Sequence, residues 1–389
     1  MDGAKFAKML SDKHLFELDR MEYKYSVSSV NEFTELLRQN FAQSLPLVDF
    51  SSDELFYLPN LARISTNGMK QLLSAPASNQ SFGLQAMTEE IHATFQIESI
   101  HSSRNSIRHI LNGYAPRNEE ESRIYGMKRG LDFIADRQNT ITEENLHQLY
   151  QISTGDYLPD EDRLLPDHFY RHDVVYVVDG EESREGLPAQ QLPDAMKRLV
   201  DFVNAKDGIN ELHKAAILHF AFAYYHPYFD GNGRTARLLR LWYLVQQGYP
   251  AALFTPFSRY IAESKAAYYK AYDRVEKNAL ISGYTDVTPF LSYFCNEVYN
   301  RLQVDAAPPQ ADLQVYQTAL AEGKITEKER LLWEYVLSAY GTEEFTTKQL
   351  EKDFRNAAYA TIRTFVMKFH EMELLVARKT GNRVFYKVK

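Results

Sequence analysis

Apolar residues recur three and four positions apart along most of this chain. The pattern predicts helices over residues 84–100, 119–136, 142–152, 189–204, 209–225, 233–247, 258–279 and 286–303. Start signals agree with several of them: Thr142 precedes Glu143 and Glu144, while Pro188 and Pro289 stand where a first helical turn begins. The pattern breaks in HFYRHDVVYVVDGEESREGLP, residues 168–188. There Val174, Val175, Tyr176, Val177 and Val178 form a β-prone run, and Asp179-Gly180 after it is a hairpin turn signal. A hairpin inside a helical region has no sheet to join, so it is expected as a surface flap over residues 169–187.

Two other stretches depart from the helical core expected over 61–303. Residues 1–60 read as an N-terminal helical extension, apolar in places (VNEFTELLRQNFAQSL) and without a chemical motif. After 303, VDAAPPQADLQ has the small residues and prolines of a linker, placed at 304–318. Beyond it the pattern gives a helix over 326–340, a short strand and helix in FTTKQLEKDF, and a helix over 357–372. Two strands follow around Thr380-Gly381-Asn382. Helix, helix, helix, hairpin over 319–389 predicts a winged-helix α+β domain.

Composition sets limits on function. The 389 residues are 44% apolar and 13% aromatic, enough for a large packed core. The net charge of −8, with both signs interspersed, argues against a polyanion-binding surface spread over the whole chain. Residues 345–389 differ: ten Lys or Arg stand against four acids, a local excess of six. Arg363 and Lys368 fall on the last expected helix, with Arg378, Lys379 and Arg383 on the hairpin. Such a patch suits either duplex DNA phosphates or a protein partner. The single cysteine, Cys295, excludes an intramolecular disulfide and a thiolate cluster, and its apolar setting (FLSYFCNEVY) marks a core thiol. With no apolar leader-like segment and no run of about 18 apolar residues, the expected compartment is cytoplasmic.

The densest chemistry lies at residues 226–237, HPYFDGNGRTAR. Gly231 and Gly233 flank Asn232 at the opening of a helix, where unpaired main-chain N–H groups at the positive end of the dipole make an anion site. Arg234 and Arg237, three apart, lie on one face of that helix and suit a polyphosphate. Asp230 offers a carboxylate to Mg²⁺, which takes one or two carboxylates plus phosphate oxygens. His226 can be neutral near pH 7 and accept a proton from an attacking hydroxyl. Together these are the parts of an in-line phosphoryl or nucleotidyl transfer.

This stretch resembles the signature of Fic-domain proteins: His, Pro, aromatic, any, Asp or Glu, Gly, Asn, Gly, Arg, any, any, Arg. Tyr228 stands where Phe is usual. The resemblance spans roughly residues 60–303 and implies an all-α Fic core carrying a β-hairpin flap. The activity it implies is transfer of AMP from ATP to a Ser, Thr or Tyr hydroxyl of a protein. By the same resemblance His226 is the general base and Asp230 holds Mg²⁺. Gly231, Asn232, Gly233, Arg234, Thr235, Ala236 and Arg237 bind the nucleotide, Arg237 through the γ-phosphate. Val174 to Val178 dock the target's extended segment, and Tyr268 and Tyr269 line the adenine pocket.

A second stretch, ATFQIESI at 93–100, places Thr94 and Glu98 four apart on one helix face among apolar neighbours. It resembles the inhibitory helix of Fic proteins (Ser or Thr, three residues, Glu, then Gly or Asn), with Ser99 in that last position. Its place before the signature implies the second Fic class. There Glu98 pairs with Arg237 and denies ATP's γ-phosphate its cation. Three alternatives accompany this expectation: a DNA-binding regulator whose Fic core senses nucleotide, removal of AMP from modified protein at the same site, and transfer of a different group such as phosphate. The target protein, which could be the chain itself, and the oligomeric state are left open.

Overall fold

The computed structural model describes residues 1–65, 72, 81–179, 182–249, 251–303, 310–340 and 344–389. Residues 1–41 form α1 (Gly3–Leu10), α2 (Leu18–Tyr25) and α3 (Val27–Phe41), which close on a small core around Met9, Met21 and Phe33 that Phe56 and Leu58 complete. Then comes an element that helical periodicity misses: a hairpin of β1 (Gln43–Val48) and β2 (Glu54–Tyr57). Its turn is closed by Asp49, whose Oδ1 accepts from the main-chain N–H of Ser51 at 2.8 Å and of Asp53 at 3.0 Å. The hairpin is stitched to the main body, since Val287 N donates to Phe56 O at 2.9 Å.

The main body comprises α4 (Ser81–Ile97), α5 (Arg104–Leu111), α6 (Glu119–Ala135), α7 (Glu143–Ser153), the flap strands β3 (Tyr176–Asp179) and β4 (Glu182–Glu185), and α8 (Leu192–Asn204). It continues with α9 (Glu211–Tyr225), α10 (Asn232–Gln246), α11 (Phe257–Glu263), α12 (Lys265–Ser282) and α13 (Thr288–Tyr293). α9 and α10 are buried on nearly all faces and form the centre. That follows from ELHKAAILHFAFAYY, which has no polar stripe to turn toward water. Thr142 caps α7 by accepting from Asn145 N at 3.1 Å, as its sequence position predicts.

The structure corrects several expectations. The single helix expected over 258–279 is two, broken at Ser264, whose hydroxyl bonds back to Tyr260 O at 2.7 Å. The helix expected over 286–303 is α13 followed by a π turn at Phe294–Val298 and a 3₁₀ stretch at Tyr299–Gln303, forms that apolar spacing does not separate from α-helix. The flap exists as an isolated two-stranded antiparallel ribbon. It begins at Tyr176, so Val174 and Val175 precede it, and Gly180 of the expected turn lies outside the described residues.

Residues 310–318, expected as linker, belong to α14 (Gln310–Ala321), while 304–309 lie outside the described residues. α15 (Glu327–Ala339), α16 (Thr347–Phe354), α17 (Tyr359–Glu371) and the hairpin β5 (Leu375–Thr380)–β6 (Arg383–Val388) follow. They enclose a separate core of Leu332, Val336, Ile362, Phe365 and Phe369. The strand expected in FTTKQLEKDF is reduced to one bridge between Phe345 and Tyr386. Two residues of the basic patch, expected to meet either DNA phosphates or a protein partner, are paired within the chain: Lys368 with Glu329 at 2.8 Å and Arg378 with Glu344 at 2.6 Å. This C-terminal unit leans on the main body, with Leu84 of α4 packed on its core and Asn112 and Tyr335 exchanging hydrogen bonds of 3.1 and 3.3 Å. Among the described residues, no helix is long and apolar enough to cross a membrane. Cys295 is buried, and burial pushes its thiol pKa up to about 12.

Candidate active site

α9 ends at Tyr225 because Pro227 cannot donate the next helical hydrogen bond. His226 takes the C-cap position in left-handed conformation, φ 55° and ψ 60°. Six residues later the chain enters α10 through Gly231, at φ 78°. A Cβ on Gly231 would lie 2.3 Å from Thr154 Cγ2, so glycine is required both by the backbone angle and by the space. The helix start has no side-chain cap, which leaves its first N–H groups without an intrahelical acceptor. Asn232 holds this turn shut: its carboxamide accepts from Tyr228 N at 2.9 Å and donates to Tyr228 O at 2.8 Å. The side chain is thus committed to the loop, and its main-chain N–H is the donor left for an anion. Tyr228 stacks on Tyr150 with centroids 3.6 Å apart, and its buried hydroxyl has no hydrogen-bond partner among the described residues.

His226 is half-buried, with Nδ1 3.3 Å from Ala223 O. Burial, and then the cation of Arg184, lower its pKa to about 4, with Arg171 adding to the effect and Asp230 opposing it. The imidazole is therefore neutral at pH 7 and free to accept a proton. It faces a cavity of about 490 Å³, which is within the range of small-molecule sites. The walls include Asp230, Gly231, Asn232, Gly233 and Arg237 on one side and Tyr268, Tyr269 and Tyr272 of α12 on another. Tyr176, Val177 and Arg184 of the flap close a third side. Val174 is exposed and Val175 buried.

Across the mouth of α10 lies the end of α4. Glu98 divides its carboxylate between two buried guanidiniums, with Oε2 2.7 Å from Arg234 Nε and Oε1 on Arg237 Nη2. Thr94 completes the grip, its hydroxyl accepting from Arg237 Nε at 2.5 Å and its carbonyl from Nη2 at 3.2 Å. Burial works against the charge of Arg237, yet the Glu98 carboxylate holds its pKa above the ordinary value. Gly233 makes the approach possible: a Cβ there would stand 2.6 Å from Glu98 Oε1. The chain turns away at Ser99, whose φ of 59° is the left-handed geometry that favours Gly or Asn.

Arg234 also donates to Asp230 Oδ2 at 2.9 Å, while Asp230 Oδ1 accepts from Gly231 N at 2.6 Å. Asp230 is exposed at the cavity rim. Among the described residues no group of three or more His, Cys, Asp or Glu side chains is arranged to hold a metal ion. A divalent ion would meet one protein carboxylate here and take its other ligands from phosphate and water, which suits Mg²⁺ and the nucleotide together.

Two expected nucleotide contacts are corrected. Thr235 and Ala236 are buried in the core and do not line the cavity; the Thr235 hydroxyl is spent on Gly231 O at 2.9 Å. Tyr268 and Tyr269 do line it, with Tyr268 OH 2.9 Å from His219 Nε2 and Tyr269 OH donating to Ile97 O at 3.3 Å. Sequence reading missed Arg171, Arg184, Tyr272 and Glu276. The signal for the arginines was their presence in a hairpin otherwise read as apolar, and for Tyr272 its spacing of four from Tyr268.

Residues 140–244 match the family model described as the Fic/DOC family. Curated relatives include the protein adenylyltransferase fic-1 of Caenorhabditis elegans, 30% identical over 102 residues, which are 26% of this chain and 18% of that protein. The protein adenylyltransferase Fic of Drosophila grimshawi is 39% identical over 141 residues, 35% of this chain and 27% of that protein. The chain spans less than a third of the length of the curated relatives it matches. In fold it is similar to a Fic family protein from Desulfovibrio desulfuricans G20, with a TM-score of 0.52, 16% identity, and 84% of this chain and 97% of that one covered.

Proposed function

We propose, for a chain whose residues 140–244 form a Fic domain, that the protein transfers AMP from ATP to a hydroxyl of a protein and is held off by Glu98. The observation that carries this reading is the conjunction of an unprotonated imidazole with an uncapped helix start and Arg237 around one cavity. ATP would lay its phosphates on the N–H groups of Asn232 and Gly233, with the γ-phosphate on Arg237 and the base among Tyr268, Tyr269 and Tyr272. Asp230 is the residue that would hold Mg²⁺, whose charge would offset that of the phosphates. A Ser, Thr or Tyr hydroxyl aligned along the flap gives its proton to His226 as it attacks the α-phosphorus, and pyrophosphate leaves. Main-chain pairing to the flap's edge would place that hydroxyl without a strict demand on sequence. Arg234 serves as the brace of the loop between Asp230 and Glu98.

We read the C-terminal unit as a winged-helix domain, from its order of helices and closing hairpin. The ion pairs at Lys368 and Arg378 engage two of its cations, while Lys348, Lys352, Arg363, Lys379, Arg383 and Lys387 stay exposed, a patch that suits a protein partner or duplex DNA phosphates. The test of the proposed activity is mass spectrometry of proteins incubated with ATP and the Glu98→Gly variant. An adenylyl group on hydroxyl side chains is expected, and it should vanish when His226→Ala is added. Its absence from the Glu98→Gly sample would refute the proposal.

A further inference from the structure

The imidazole of His226 sits on a residue in left-handed backbone conformation, which a side chain such as histidine's keeps only where the surroundings hold it. What fixes it comes from the flap. Arg171, almost wholly buried, donates from Nε to His226 O at 2.7 Å, from Nη1 to Asp173 O at 2.6 Å and from Nη2 to Leu187 O. Its own main-chain N–H donates to Pro227 O at 2.9 Å. These carbonyls belong to the segment entering the flap, the segment leaving it, and the loop that carries the imidazole.

Main-chain bonds run alongside: Leu187 N to Tyr225 O at 3.2 Å and Gly186 N to Val175 O at 3.0 Å. The junction has no spare volume. A Cβ on Gly186 would lie 2.8 Å from Arg171 Nη2, 2.9 Å from Val175 Cγ2 and 3.3 Å from His226 Cβ.

We infer that Arg171 is a positioning residue: its guanidinium locks the base of the flap to the backbone of His226, and so fixes where a hydroxyl held on the flap meets the imidazole. A planar fork is needed because three carbonyls must be met from one centre in fixed directions, which a lysine ammonium on a flexible stem does not do. Arg171 does not line the nucleotide cavity, so ATP binding is left to α10 and α12.

The inference rests on the proposed transfer activity for its kinetic readout, so the test carries a second arm that does not. Arg171→Lys and Arg171→Met are made in the Glu98→Gly background. The expected result is a kcat for AMP transfer lower by about tenfold or more, since misplacement by about 1 Å is costly, with the KM for ATP within about twofold of the parent. In the second arm the His226 imidazole is titrated by NMR without ATP. Arg171→Met should raise its pKa, because one of the cations facing it is gone while Arg184 and Asp230 remain. Unchanged kcat and unchanged titration would overturn the inference, as would equal losses in kcat, ATP affinity and melting temperature, which describe a general packing role. A parent that transfers no AMP, combined with a shifted titration, would defeat the proposed function and leave the positioning role standing.

Discussion

Replacing Glu98 by glycine removes the carboxylate that both buried arginines share. At an effective dielectric of about 20, charges about 4 Å apart attract by about 4 kcal/mol. The carboxylate is partly exposed, at 20%, so desolvation and screening reduce the net advantage of the closed arrangement to about 2–4 kcal/mol. If only molecules with Arg237 released accept ATP productively, the active fraction of the wild-type protein is smaller than in the variant by the corresponding factor, about thirty to seven hundred. The assay is the initial rate of label transfer from ATP carrying radioactive phosphorus at the α position, at fixed ATP, with the Glu98→Gly, His226→Ala double variant as zero. Glu98→Gln, which keeps the size and loses the charge, should fall between. A Glu98→Gly rate within about twofold of wild type, above a silent double variant, would refute the switch.

Other consequences can be checked separately. The lowered pKa of His226 means that between about pH 6.5 and pH 4 the unfolded chain takes up a proton that the folded imidazole refuses; this residue's contribution to stability is therefore lost as pH falls through that window. For the same reason the acid limb of kcat/KM in Glu98→Gly should lie well below pH 6.5, and a limb at or above 6.5 contradicts a free neutral base. Ser99→Gly relieves a positive φ at the end of α4, worth about 1–2 kcal/mol, against about 0.5–1 kcal/mol of added freedom in the unfolded chain, so the melting temperature should rise and basal transfer fall; a lower melting temperature argues against it. Asp230→Asn should raise the magnesium concentration needed for half-maximal rate by about tenfold or more, and an unchanged requirement would remove Asp230 from the metal's ligands.

Much of this was legible because the chemistry is local. A glycine-rich helix start needs only a few consecutive residues, so the 226–237 stretch carries its own geometry. Thr94 and Glu98 were legible as one face of a helix because four residues make about one turn. What escaped depends on partners far along the chain. The hairpin at Gln43–Tyr57 is stabilised partly through Thr285 and Val287, a pairing no local pattern announces. Arg171 gains its role from carbonyls at 187 and 226. Thr235 and Ala236 were assigned by adjacency, but a helix spreads successive side chains around its axis at about 3.6 per turn, and theirs face the core. The basic patch that includes Lys368 and Arg378 was read from net charge, which does not show that Glu329 and Glu344 sit within reach.

The most direct measurement compares ATP labelled at the α-phosphorus with ATP labelled at the γ-phosphorus, each incubated with Glu98→Gly and a mixture of proteins. Label from the α position should become covalently attached and label from the γ position should leave as pyrophosphate. Attachment of the γ label would mean that the cavity holds its nucleotide the other way round and that the chain is a kinase.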